Sequence, residues 1–210
     1  MRIGIIGANG KQGRLLCKEA MSRGHFVRAI VREECIEEVS EVLLRDLFDL
    51  KKDDIKDLDV LISAFGSGFD ADPDINRRAI NHLADVVEGS GVALQIVGGA
   101  GALFTDPTHK FRVYEKPDHP YFLRGISKSM TNGYLDLLKR KDVIFTYVCP
   151  SLIFDYEGEK KGKYKIGDRE EVIENSHGES RISYADYAMA MIDEAERGAY
   201  RGKCITVCEV

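Results

Sequence analysis

The sequence predicts an α/β protein built on a doubly wound parallel sheet with helices on both faces. Three observations carry that expectation: short apolar runs rich in β-branched residues recur along the chain, stretches with helical spacing fill the intervals, and glycine or proline marks the junctions. Strands alternating with helices need crossover connections, which are right-handed, so the strands run parallel and the helices cover both faces. In such a sheet ligands bind outside the carboxyl ends of the strands.

Residues 2–6 form the first run, followed by a glycine-rich turn and then by Leu15, Leu16, Glu19 and Ala20 at helical spacing. Gly24 ends that helix, and residues 26–31 read as a second strand of the short apolar kind buried in parallel sheets. Residues 42–44 and 60–63 repeat the pattern. Asp72-Pro73 supplies a cap and a first-turn proline for a helix running to about residue 90. A fifth strand covers residues 92–97, and after a stretch carrying Pro107, Pro117 and Pro120 a helix from about residue 123 to 141 leads into a sixth at 143–149. From Pro150 the rhythm changes. A glycine- and charge-rich segment (157–168) precedes Arg181-Ile182-Ser183, a helix over about 184–196 and a last strand at 204–207.

With 210 residues, 44% of them apolar and 31% charged, the chain suits a single domain over 1–210. The part from about 150 to 210 has too few apolar residues for a core of its own and is read as the substrate side of the cleft. Thirty basic against 35 acidic residues leave a net charge of −5, which disfavours nucleic acid as a partner and requires any anion site to be built locally. The five cysteines show neither a disulfide framework nor metal-ligand spacing and read as reduced structural thiols, with no metal expected. The first strand follows Met1 at once and no run of about 18 apolar residues occurs, so a cytoplasmic protein without a membrane span is expected. Oligomeric state is open.

The chemistry begins at Gly7-Ala8-Asn9-Gly10-Lys11-Gln12-Gly13, between the first strand and the first helix. Glycines there permit a sharp turn, close approach of backbone to a pyrophosphate and close helix packing, while the helix N-terminus offers unpaired N–H groups and partial positive charge. That is the dinucleotide-binding arrangement of a Rossmann sheet. At the end of the second strand, where an acidic residue would accept from a ribose 2′-hydroxyl, stands Arg32, which suits a 2′-phosphate and favours NADP(H) over NAD(H). Arg28 shares its face but lies earlier in the strand, and Glu33 or Glu34 can contact ribose instead if Arg32 only meets solvent. Asp46 and Leu47 after the third strand, and Ala64, Phe65 and Gly66 after the fourth, sit where such folds line adenine and the pyrophosphate–ribose, although a helix cap and a surface turn are their plainer roles.

These blocks, with Val97-Gly98-Gly99-Ala100-Gly101, Cys149-Pro150-Ser151, Gly162-Lys163-Tyr164 and residues 180–188, resemble the atypical short-chain dehydrogenase/reductases, specifically the NmrA-like NADH-flavin reductase group that includes biliverdin-IXβ reductase-like proteins. The resemblance spans nearly the whole chain. It implies a cofactor cleft that also takes in Gly98, Gly99, Pro150 and Ser151, and hydride transfer from NADPH to a flavin or quinone-like small molecule.

The chain departs from typical short-chain dehydrogenases around its long helix, where no tyrosine is followed by lysine at the fourth position. Tyr114, Tyr121 and Tyr134 are followed at the fourth position by Asp118, Gly125 and Leu138, and Ala100 and Gly101 stand where a serine would be expected. Tyr121 and Lys128 are weak catalytic candidates, each with a plain role as a packed tyrosine or a surface lysine; His82 and His119 read as structural or solvated. Hydride transfer to a flavin or quinone depends on stacked rings and exclusion of water more than on a dedicated acid. A non-catalytic NADP(H)-binding redox sensor is the alternative, and a sugar-nucleotide-type epimerase or dehydratase, which would want that tyrosine–lysine pair at the helix, comes third.

Overall fold

The computed structural model describes residues 1–68 and 71–210. Six parallel strands carry the fold: β1 (Arg2–Ile6), β2 (Phe26–Val31), β3 (Glu41–Leu44), β4 (Val60–Ser63), β5 (Ala93–Val97) and β6 (Phe145–Pro150). Later come β7 (Ile153–Asp155), β8 (Tyr164–Gly167), β9 (Arg181–Ser183) and β10 (Lys203–Glu209). The main sheet has the order β3-β2-β1-β4-β5-β6-β10-β8, parallel throughout except for β8, which runs antiparallel to β10; β7 and β9 form a separate parallel pair. The chain winds outward from β1 through β2 to β3, then restarts on the other side with β4. The winding therefore reverses between β1 and β4, and a crevice opens at the carboxyl ends of those strands.

Helices α1 (Lys11–Ser22) and α4 (Tyr184–Arg197) cover one face, α2 (Ile75–Val87) and α3 (Tyr121–Leu137) the other. Under α1 and α4 lie Ile3, Ile5, Leu16, Val27, Ile62, Tyr187 and Met191; under α2 and α3 lie Leu61, Leu83, Leu94, Tyr134, Leu137 and Tyr147. Each aliphatic side chain so buried contributes about 1.5–3 kcal/mol, and the sheet interior is apolar on both faces because both are covered. All five cysteines are free. Burial pushes the Cys17 thiol up to about 12, which removes its thiolate character at neutral pH. Among the described residues no helix is long and apolar enough to cross a membrane.

Several boundaries differ from the sequence reading. The helix expected to open at Asp72-Pro73 starts at Ile75, because Asp72 caps a preceding turn: its Oδ1 accepts from the Asp74 N–H at 2.9 Å and its carbonyl from Ile75 at 3.0 Å. It stops at Val87, and Gly89 and Gly91 then take positive φ. Helix α3 spans 121–137 where 123–141 was expected, starting directly after Pro120. Strands β7 and β8 were not foreseen. Each is only three or four residues long, too short for an alternation to register in a glycine- and charge-rich stretch.

Candidate functional site

Strand β1 ends at Ile6, and Gly7 turns the chain with φ +72°; a Cβ there would lie 2.9 Å from the Ala64 carbonyl oxygen of the neighbouring strand's exit. Gly13 is required by packing, since its Cβ would stand 2.1 Å from the Gly7 carbonyl oxygen. Gly10 caps α1 without any side-chain hydrogen bond, and no acidic residue occupies the first turn. The first bond of the helix runs from the Arg14 N–H to the Gly10 carbonyl at 2.9 Å, so the N–H groups of Lys11, Gln12 and Gly13 have no partner among the described residues. Three free donors at the positive end of a twelve-residue helix, with no carboxylate to neutralise them, make a seat for an anion. Gln12 adds a further open valence. Its side chain is 7% exposed, its Nε2 donates to the Tyr184 carbonyl at 3.3 Å, and its Oε1 is buried without a partner among the described residues.

Beside this loop lies a cavity of about 480 Å³. Gly7, Asn9, Gly10, Arg32, Asp46, Leu47, Ala64, Phe65 and Gly66 all line it, so four separate stretches singled out in the sequence meet in one wall. Asn9 also staples the loops together: its Nδ2 donates to the Glu34 carbonyl at 2.9 Å and its Oδ1 accepts from the Ile36 N–H at 3.0 Å. Asp46 is both a cap and a lining residue. Its Oδ1 accepts from the Phe48 N–H at 2.9 Å and so fixes the short turn Leu47–Asp49 that presents the half-exposed Phe48 to the cavity. Arg45, Phe48 and Ile75 line the cavity without having been foreseen. Arg45 follows a four-residue strand and reads as a surface residue, and Ile75 arrives from a helix beyond β4, so only the register of the sheet brings them in.

The two arginines of β2 and its exit separate cleanly. Arg28 is 9% exposed and both its terminal nitrogens are engaged, donating to Asp57 at 2.8 and 3.0 Å, to Glu41 at 2.9 Å and to the Asp54 carbonyl at 2.8 Å. Those bonds raise the Arg28 pKa, and Arg28 with Arg2 holds the Asp57 carboxyl well below the usual range. Arg32 is exposed, lines the cavity and has neither a hydrogen bond nor an ion pair among the described residues. Arg28 is thus a structural cation and Arg32 an available one.

Gly98, Gly99, Pro150 and Ser151 lie farther along the same carboxyl edge, after β5 and at the end of β6, and do not line this cavity. A Cβ on Gly98 would meet the Tyr147 ring at 2.5 Å and the Val148 carbonyl oxygen at 2.8 Å, so that glycine serves close strand packing. The Ser151 hydroxyl is buried and donates to the Val207 carbonyl at 2.8 Å. Beyond them, buried Asp186 accepts from the N–H groups of Lys161 at 3.0 Å and Gly162 at 2.8 Å and from the Ser183 hydroxyl at 3.1 Å. The blocks 162–164 and 180–188, distant in sequence, fold against each other through that one carboxylate. Outside the cavity lining, Phe154 stacks on Tyr184 at 3.8 Å and Lys11 lies over the Tyr156 ring at 4.3 Å. Tyr121 is 89% exposed at the start of α3, Lys128 is exposed on the same helix, and neither lines the cavity. His119 is half-buried and bonded to the Ser127 hydroxyl at 3.1 Å, and burial lowers its pKa.

A family model described as NAD(P)H-binding matches residues 7–195. The chain is 36% identical over 212 residues to the uncharacterized protein YwnB of Bacillus subtilis, an alignment covering 99% of this chain and 98% of that one. A crystal structure from Streptococcus pneumoniae, described as a "putative NADH-flavin reductase", superposes with a TM-score of 0.96 at 34% identity and 100% coverage of both chains. A second, from Bacteroides thetaiotaomicron and described as a "putative epimerase", superposes with a TM-score of 0.87 at 31% identity, covering 100% of this chain and 97% of that one.

Proposed function

Because the chain belongs to the NAD(P)H-binding family, we propose that it is an oxidoreductase that takes NADPH and passes hydride to a flavin or quinone-like small molecule. The observation that carries this reading is the convergence of the glycine loop, Arg32, the Asp46-Leu47 turn and the segment 64–66 on one cavity at the switch point of the sheet. In this assignment the N–H groups of Lys11, Gln12 and Gly13 hold the pyrophosphate and Arg32 the 2′-phosphate. Leu47, Phe65 and Gly66 flank the adenosine, and Asp46 sets the turn beside it. The orphaned Gln12 Oε1 accepts from a ribose hydroxyl.

The dinucleotide then extends along the carboxyl edge toward Gly98, Gly99, Pro150 and Ser151, where its nicotinamide supplies the hydride. The chain's own task at that end is to orient a flat acceptor and exclude water. The stacked Phe154 and Tyr184 beside Tyr156 suit an aromatic partner. An acceptor of this kind needs no phenolic acid, in keeping with an exposed Tyr121 away from the cavity and with a Tyr-x-x-x-Lys spacing only at Tyr156 and Lys160, outside any helix, where Lys160 is bonded to Glu19.

The test is to mix purified protein with NADPH, add a panel of flavins and quinones, and follow nicotinamide absorbance. Oxidation of NADPH that depends on acceptor and enzyme supports the reading. Tight NADPH binding without turnover on any acceptor favours the redox-sensor alternative, which further requires a partner that binds with one redox form and not the other. Turnover of a nucleotide sugar without net consumption of NADPH would favour the epimerase instead.

A further inference from the structure

One cation of the cavity has no part in the assignment above. Arg45 follows β3, and its N–H donates to the Val31 carbonyl at 2.8 Å. That bond continues the pairing of Val31 with Leu44 by one step, setting Arg45 alongside Arg32 at the carboxyl edge of the sheet. Both side chains line the same cavity. Arg45 is held loosely: its side chain is 35% exposed, and its one ion pair, to Asp54 Oδ1, spans 3.5 Å without a hydrogen bond among the described residues. Glu33 and Asp46 share the wall, yet neither is ion-paired with either arginine. Two arginines at adjacent positions of neighbouring strands therefore line one cavity, neither of them hydrogen-bonded to a carboxylate among the described residues, an arrangement that suits a bound dianion.

We propose that Arg45 is the second anchor for the cofactor's ribose 2′-phosphate, forming with Arg32 a two-guanidinium clip that selects NADPH over NADH. The inference rests on the dinucleotide reading of this cavity and deepens it. A phosphate monoester carries about −1.5 to −2 charges near neutral pH and three acceptor oxygens. One planar guanidinium engages two of those oxygens, and a second cation from a neighbouring strand reaches the third and completes neutralisation. The bare 2′-hydroxyl of NADH offers neither the charge nor the acceptors. The competing structural role is the half-buried pair with Asp54, which at 3.5 Å lacks a hydrogen bond.

The test is a set of binding titrations on the intact protein with NADPH, NADH, adenosine 2′,5′-bisphosphate and adenosine 5′-monophosphate, the last two differing only in the 2′-phosphate. Arg45→Gln is expected to weaken NADPH and the bisphosphate by roughly 10- to 100-fold and to leave NADH and the monophosphate unchanged. Arg45→Lys, which keeps the charge and loses the fork, should fall in between. Arg32→Gln combined with Arg45→Gln should lose less than the product of the two single effects, because both residues hold one group. Unchanged NADPH affinity in Arg45→Gln, with a wild type that prefers NADPH, would overturn this inference alone. Equal losses for all four ligands would overturn it too, by showing that Arg45 acts through the fold. A wild type that binds NADH as tightly as NADPH would overturn the NADP(H) assignment along with it.

Discussion

The two halves of the carboxyl edge are built on opposite plans. In the half formed by β1 to β4 polar groups are left open: three helix N–H groups, the Gln12 Oε1 and the Arg32 guanidinium have no partner among the described residues. In the half beyond β5 four buried side chains are committed inward. Ser151 bonds Val207, Tyr187 bonds the Val148 carbonyl at 2.6 Å, Tyr134 bonds Glu170 at 2.6 Å, and Asp186 holds residues 161 and 162. A buried polar group without a partner is costly, so open valences gathered in one place mark where a ligand completes the structure. Saturated ones mark where the chain is fixing a shape. The contrast explains why the glycine-loop end is readable as chemistry while the far end is readable only as a surface.

The largest expected effect breaks the saturated half. Asp186→Ala strips the buried N–H groups of Lys161 and Gly162 of their acceptor and should cost about 2–4 kcal/mol of stability, measured by urea unfolding. NADPH affinity measured well below the transition should change little; a large loss there would show that the two halves are energetically joined. Next comes the open half. Gly10→Leu places a Cβ 3.1 Å from the Gly7 carbonyl oxygen and a side chain into the cavity, and should reduce dinucleotide affinity by about 100-fold or more while the protein stays folded. Unchanged affinity in calorimetric titration would remove the loop from the site.

A smaller and more selective loss is expected at Arg32, where Arg32→Asp should weaken NADPH by about 1–3 kcal/mol and leave NADH nearly unaffected, because one charged contact is replaced by repulsion. The smallest effect is at Tyr121. Tyr121→Phe should retain most of the rate of acceptor reduction, since the residue is exposed and away from the cavity. A general acid lost at that position would instead cost about 10²- to 10⁴-fold, a drop that steady-state kinetics would not miss.

What the sequence made legible follows the same divide. The strand–loop–helix signature and Arg32 are local features, each decided within a few residues of chain, and they occupy the places expected of them. The roles of Ser151 and Asp186 depend on partners 56 and 25 residues away, so nothing near them in sequence could announce that one is sealed under β10 and the other is a clamp. Arg45 was missed for a third reason. It sits at the end of the four-residue β3, where an alternation of exposed and half-buried positions carries no sign of a ligand, and only the strand order puts it next to Arg32.

The staple made by Asn9 sets a rule for anyone wishing to redesign cofactor choice. Because one amide grips the backbone at both residue 34 and residue 36, the segment proposed to read the ribose and the loop proposed to cradle the phosphates are a single mechanical part. The exposed side chains of Glu34 and Ile36 can be changed without breaking it, since the grip is on their backbone atoms. Its length cannot: a graft one residue longer or shorter would pull the amide off one of its two holds and release the cradle, so swaps here should be made letter for letter.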